Sequence, residues 1–94
     1  MAWQIIWTER AQKERFEIFT FWNTHNQSSV YSKKLNELIK QSLKIISRHP
    51  LIGKPTNKEN VRIKILKNYL IIYEIKKQEI IVLSLWDSRQ KPEK

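Results

Sequence analysis

The stretch from Val61 to Trp86, VRIKILKNYLIIYEIKKQEIIVLSLW, leaves this chain few folds to choose from. Three runs rich in β-branched and aromatic residues are separated by Lys67-Asn68 and Lys77-Gln78. That is the pattern of a three-stranded antiparallel meander with two-residue turns. Asn tolerates the positive φ such turns require, although neither pair is the favoured Asn-Gly. With both turns two residues long, counting sets the register. Leu66 faces Tyr69, Lys64 faces Ile71 and Arg62 faces Tyr73; in the second hairpin Val82 falls beside Tyr73, Ser84 beside Ile71 and Trp86 beside Tyr69. Directly opposed residues share a face. One face is therefore predicted to carry Arg62, Lys64, Tyr69, Tyr73, Ser84 and Trp86. The other carries Val61, Ile63, Ile65, Leu70, Ile72, Ile81, Leu83 and Leu85. Being almost wholly apolar, this second face is expected to be covered, and the first is the candidate working surface.

The chain before the meander supplies the cover. Trp3–Trp7 reads as a short strand with Trp3, Ile5 and Trp7 on one face. Thr8 is placed to cap a helix that begins with Glu9, an acidic residue suited to the positive end of the dipole. Ala11, Ile18, Phe19 and Trp22 recur at helical spacing to about Asn23, while Phe16 and Phe21 fall off that stripe, either to reach a neighbouring element or to leave an exposed apolar edge for a partner. A polar break at His25–Ser29 offers either serine as the next cap. A second helix follows from about Val30 to His49, with Tyr31, Leu35, Leu38, Ile39, Ser42, Ile45 and Ile46 in one wide stripe. Pro50 stops it, because proline disfavours helical geometry at the residue before it. Pro50–Asn60 reads as a loop holding Gly53, the only glycine, and delivering Lys54 and Lys58 near the start of the meander.

The predicted fold is α+β, in the order β-α-α-β-β-β. A helical hairpin packs on a mainly antiparallel four-stranded sheet as a two-layer sandwich. Ninety-four residues suffice for one domain, residues 1–94, with a single modest core. Leu35, Leu38, Ile46, Ile63, Ile72 and Leu83 are expected deep within it.

A net charge of +9 on so short a chain favours an anionic partner, nucleic acid or an acidic protein segment, over a neutral one. A lysine-rich solvated surface accounts for part of it. Cysteine is absent, which excludes disulfides and thiolate metal sites. No cofactor is expected. No window approaches the ~20 apolar residues of a membrane span, and the N-terminus lacks the basic region and cleavage pattern of a signal peptide. A cytoplasmic protein without a membrane partner is the simplest expectation.

This ordered set resembles the RelE/ParE toxins of type II toxin–antitoxin systems. The resemblance rests on Trp7 and Ala11 opening the first helix, Ile18 and Trp22 along it, then Leu43, Pro50 and Gly53. It continues through Arg62, Tyr69 and Tyr73 to the closing Trp86-Asp87-Ser88-Arg89, and so spans essentially the whole chain. It implies a small basic toxin neutralised by a cognate acidic antitoxin; the docking groove is expected along the first helix near Phe16 and Phe21 and, by this analogy, to extend to the sheet. RelE-like members cut mRNA in the ribosomal A site, whereas ParE-like members inhibit DNA gyrase without being nucleases.

Cutting RNA by 2′-hydroxyl attack needs a base, an acid and cations for the phosphorane. Arg62, Lys64, Arg89 and Lys54 are the candidate cations, with Arg62 matching a basic residue of RelE-like toxins and Tyr73 beside it to position a phosphate. Arg62, Tyr73 and Arg89 are thus the catalytic candidates; Tyr69 and Trp86 join them in the candidate binding surface. The family's nucleases commonly place a tyrosine or histidine near the C-terminus, and after Trp86 this chain has neither. His25, His49, Glu59, Glu74 and Asp87 remain. Each has a plainer reading: a solvated loop for His25, a helix C-terminus for His49, a strand end for Glu74, a loop for Glu59, an ion pair with Arg89 for Asp87. The balance favours a ParE-like toxin that binds a target such as DNA gyrase. A metal-independent, ribosome-dependent endoribonuclease is the alternative.

Overall fold

The computed structural model describes residues 2–89. Strand β1 (Gln4–Trp7) leads into helices α1 (Glu9–Asn26) and α2 (Val30–Arg48). A 3-10 turn at Pro50–Ile52 precedes β2 (Lys54–Pro55), β3 (Val61–Leu66), β4 (Tyr69–Lys76) and β5 (Glu79–Asp87). The sheet has five strands in the order β1-β5-β4-β3-β2. β1 runs parallel to β5, and the other neighbours are antiparallel. The expected order, helical hairpin and two layers are all present. The fifth strand is the two-residue β2, which turns part of the predicted Pro50–Asn60 loop into an edge partner for Arg62 and Ile63.

Local chemistry sets the element ends. Thr8 caps α1, its hydroxyl accepting the Ala11 amide at 3.1 Å and donating to the Val82 carbonyl at 2.9 Å. One side chain thus starts the helix and ties it to the sheet. Ser28, rather than the N-cap Ser29, receives the Val30 amide. Lys77 and Gln78 both adopt positive φ, as a two-residue turn matched to strand twist demands, and Lys67 does so in the first hairpin.

The β3–β4 register is as counted, with Arg62 opposite Tyr73 and Lys64 opposite Ile71. The β4–β5 register begins as counted, with Val82 opposite Tyr73, and then shifts at a bulge. Ser84 pairs with Ile72, Leu85 with Ile71, Trp86 with Leu70 and Asp87 with Tyr69. One extra residue in a strand moves every later side chain to the opposite face. Leu85 therefore turns into the core, and Trp86 parts from Tyr69.

The larger correction concerns which face is covered. The helices pack on the face bearing Tyr69, Ile71 and Tyr73, which join Ala11, Leu35, Ile39, Leu43, Ile46, Ile80, Val82 and Leu85 in the core. Ile63, Ile72 and Leu83, expected deep inside, lie half-buried on the opposite face, and Ile65 there is 51% exposed. Leu35 and Ile46 are buried as expected, whereas Leu38 is half-buried on the margin of α2. The tyrosines go inside because their ring area is large and each hydroxyl finds a partner there. Arg62 and Lys64 share their face without being engulfed, since β3 lies towards the β2 edge of the sheet and both stay half-buried.

Candidate functional site

Tyr73 and Arg62 are brought together, as their register requires, but they serve the Pro50–Gly53 turn. The fully buried Tyr73 hydroxyl donates to the Pro50 carbonyl at 2.6 Å and accepts the Gly53 amide at 3.0 Å. Arg62 Nη1 donates to the carbonyls of Gly53 at 2.7 Å and Leu51 at 3.1 Å. Burial raises the pKa of Tyr73, so near neutral pH it is a phenol engaged at both lone pair and proton. The expected open surface of Arg62, Tyr69, Tyr73 and Trp86 is therefore not formed. Two of its members are core residues, and Trp86 leaves on the other side of the bulge.

Tyr69 is likewise buried, and its oxygen accepts the Trp22 indole Nε1–H at 2.6 Å. Burial again raises its pKa, outweighing the opposing indole hydrogen bond. Tyr69 lies four residues from Tyr73 along β4, roughly 13 Å by strand rise, and Arg89 stands near the Tyr69 end. It forms a two-pronged pair with Asp87, Nε to Oδ1 at 3.0 Å and Nη2 to Oδ2 at 2.9 Å, and its guanidinium lies 5.7 Å from the Trp22 ring centroid. Asp87 is held below the usual carboxylate range, chiefly by that hydrogen-bonded arginine. Lys54 is exposed on β2 and Lys64 half-buried on β3.

A groove of about 520 Å³ opens between α1 and the C-terminal half of β5. β1 pairs with β5 only as far as Val82, so beyond that residue α1 takes the place of a neighbouring strand. Ile18, Phe21, Trp22, Tyr69, Leu85 and Trp86 provide apolar walls, and Glu14, Glu17, His25, Asp87 and Arg89 complete the lining. Glu14 anchors it: one carboxylate oxygen accepts both the Ser84 hydroxyl at 2.9 Å and the Leu85 amide at 3.0 Å. The other oxygen pairs with Arg10 at 3.3 Å. Phe21 stacks on His25 at 5.6 Å and meets Trp22 edge-on at 5.1 Å. Phe16 and Phe21 are 71% and 55% exposed, as their position off the apolar stripe implies.

Glu14 was missed by sequence reasoning, yet it left a signal. It falls on the stripe of Ala11, Ile18 and Trp22, where a carboxylate requires a partner. His25 is exposed as expected but belongs to the last turn of α1 rather than to a loop, because the helix continues to Asn26. His49 is exposed at the end of α2 and Glu59 lies in the exposed loop, matching their plainer readings; Glu74 opposes Val61 near a strand end. Among the described residues, no three His, Asp or Glu side chains are grouped to hold a metal ion, and no helix is long and apolar enough to cross a membrane.

Residues 5–92 match the family described as ParE toxin of type II toxin-antitoxin system, parDE. The chain belongs to the ParE toxin family. No curated protein matches the sequence. Among solved structures, the chain is similar to one from the chromosomal ParDE toxin–antitoxin system of P. aeruginosa. The TM-score is 0.77 at 18% identity, covering 92% of this chain and 96% of that one. It is also similar to a chain of the toxin–antitoxin complex RelBE2 from Mycobacterium tuberculosis, with a TM-score of 0.63 at 17% identity, covering 93% and 99%. At such identities these likenesses concern the fold. Membership of the ParE family rests on the sequence match along nearly the whole chain.

Proposed function

We propose that this ParE-family toxin arrests growth by binding a protein target, DNA gyrase being the first to test, and that a cognate acidic antitoxin neutralises it in the cytoplasm. The observation that carries the reading is the use made of Tyr73 and Arg62. The side chains best matched to phosphate chemistry are spent on the backbone of the Pro50–Gly53 turn. Both buried tyrosines also have raised pKa values, which disfavours the phenolate a general base would need. The antitoxin is assigned to the α1 groove, where exposed Phe16 and Phe21 offer anchors beside an apolar floor. Trp86 and Arg89 at the groove, with Arg62, Lys64 and Lys54 along the β2–β3 edge of the sheet, remain the candidate contacts for its acidic side chains or for the target.

The test pairs primer extension on mRNA after induction with a supercoiling assay using purified gyrase. Growth arrest with blocked supercoiling and intact mRNA is expected. Codon-positioned cuts in the message would replace this reading with the ribosome-dependent nuclease. For the antitoxin, hydrogen exchange in the complex is expected to show protection within residues 10–25; unchanged exchange there would remove the antitoxin from α1.

A further inference from the structure

Three carboxylates line the α1 groove, and among the described residues Glu17 alone lacks a counter-ion. Glu14 pairs with Arg10 and Asp87 with Arg89, whereas Glu17 is exposed and forms no ion pair, even with Lys13 one turn before it. With those two pairs cancelled, Glu17 leaves the groove locally negative in a chain of +9. Phe21 stands one turn further on. Its ring is largely exposed, and His25, four residues later, stacks nearly parallel on it. Residues four apart are neighbours on a helix face, so the other face of the ring is turned towards Glu17. No cation of the described chain lies over that ring. We propose that Glu17 and Phe21 form a receptor for a cationic side chain, an arginine above all, carried by the antitoxin segment in the groove. The inference rests on the antitoxin assignment above and adds the charge of its anchor, opposite in sign to the antitoxin's expected net charge.

The same groove shows this arrangement filled from within the chain. The Arg89 guanidinium lies over Trp22 while the Asp87 carboxylate holds its fork. Arg15 likewise covers Trp7, at 4.1 Å from the ring centroid. An aromatic face and a carboxylate both attract a cation, and a planar guanidinium can stack on the one while donating to the other. An acidic side chain placed there would be repelled by both, and so would the phosphates of RNA. Ile18, Trp22 and Leu85 beside the site take apolar side chains. The occupant is therefore an apolar segment with one cation opposite this turn of α1. Membership of a toxin–antitoxin family supplies the antitoxin as that partner. The site then acts as a selector. Long-range charge draws acidic chains to a +9 surface, and only one presenting a cation at Glu17 satisfies the groove.

The experiment measures affinity for the antitoxin expressed from the adjacent reading frame. Wild type is compared with Glu17→Gln, Glu17→Lys, Phe21→Leu and a control, Glu37→Lys, on the exposed side of α2. Added positive charge should tighten binding of an acidic partner or leave it unchanged, and that is the result expected at Glu37. At Glu17 the sign is expected to reverse, with binding about threefold weaker for Gln and about tenfold or more for Lys. Phe21→Leu, which keeps apolar bulk but removes the ring face, is expected to match Gln. Urea midpoints should not move, and Gln and Leu serve where lysine disturbs the fold. Changing each Lys and Arg of the bound antitoxin segment to Glu in turn is expected to yield one variant that restores binding to Glu17→Lys. If no variant does so, or if Glu17→Lys binds as well as Glu37→Lys while residues 10–25 stay protected, the receptor is overturned and the groove assignment stands. Absent protection there, or a wild-type chain that binds no antitoxin, overturns both. Growth arrest lost in Glu17→Gln with antitoxin affinity kept assigns the site to the target. A wild-type dimer dispersed by Glu17→Lys in sedimentation assigns it to a second copy. Either result overturns the proposal.

Discussion

The Tyr73 hydroxyl occupies the space that a Cβ on Gly53 would need. A methyl built on the glycine would lie 2.7 Å from that oxygen and 2.9 Å from the Ile63 carbonyl, so neither a rotamer change nor a small shift clears it. Gly53 has an ordinary extended backbone, and its requirement is room alone. Gly53→Ala is expected to cost about 1–3 kcal/mol through overpacking. Tyr73→Phe relieves the space but abandons a buried amide and carbonyl, at about 1–3 kcal/mol. Urea unfolding measures both; a Gly53→Ala midpoint equal to wild type would show that the turn moves freely.

Arg62 and Arg89 separate function from structure. Both alanine variants are expected to relieve growth inhibition. Arg62→Ala also leaves two turn carbonyls without their donor and is expected to lower stability by about 1 kcal/mol. Arg89→Ala loses only an exposed pair and is expected to unfold like wild type. Full toxicity in a folded Arg89→Ala protein would remove Arg89 from the contact surface.

Glu14→Ala leaves the Leu85 amide and the Ser84 hydroxyl unpaired in a partly buried setting. The expected cost is about 1–3 kcal/mol, with faster amide exchange at Leu85. Glu14→Gln keeps an acceptor and should retain more than half of the lost stability. If Gln and Ala behave alike in urea unfolding, Glu14 does not hold the strand edge.

The two sheet faces predict different costs for the same kind of truncation. Leu35→Ala and Ile46→Ala empty fully enclosed sites and are expected to cost about 2–5 kcal/mol each. Ile72→Ala, on the open face, should cost roughly half that or less. Equal losses at Ile46 and Ile72 would mean that the outer face is covered in solution.

Asp87 supplies a pH test. Its folded pKa is depressed by Arg89, so the stabilisation is fully present above the ordinary aspartate pKa of about 3.9. It is lost as the pH falls through the lower folded value, while near pH 7 it does not vary. An NMR titration is expected to place the Asp87 midpoint below the usual aspartate range and to move it upward in Arg89→Gln. An unmoved midpoint would show that the pair does not persist in solution.

Much of the architecture was legible because it depends on local spacing. Thr8 before an acidic first turn, the stripe from Leu35 to Ile46, Pro50 after a helix, and two polar pairs between β-rich runs each act within a few residues. Together they set the element order, the hairpin register of β3 and β4, and the position of Phe16 and Phe21 off the buried stripe of α1. The family resemblance was legible for the same reason, since it follows the order of those landmarks. What escaped was the choice between faces. Both faces of the meander carry enough apolar area to be a core, and counting aliphatic residues favours the one that the helices leave open.

That choice depends on contacts between residues far apart in the chain. Tyr69 can be buried because Trp22 meets its hydroxyl, and Tyr73 because the Pro50–Gly53 turn closes over it. The bulge after Val82 then turns Leu85 inward and takes Trp86 away from Tyr69, a one-residue change that reverses every later side chain. Alternation in the sequence determined which residues share a strand face as far as Val82. Helix docking and hydrogen-bond satisfaction across the sheet decided which face became the interior, because a buried phenol is stable only where its oxygen finds a partner.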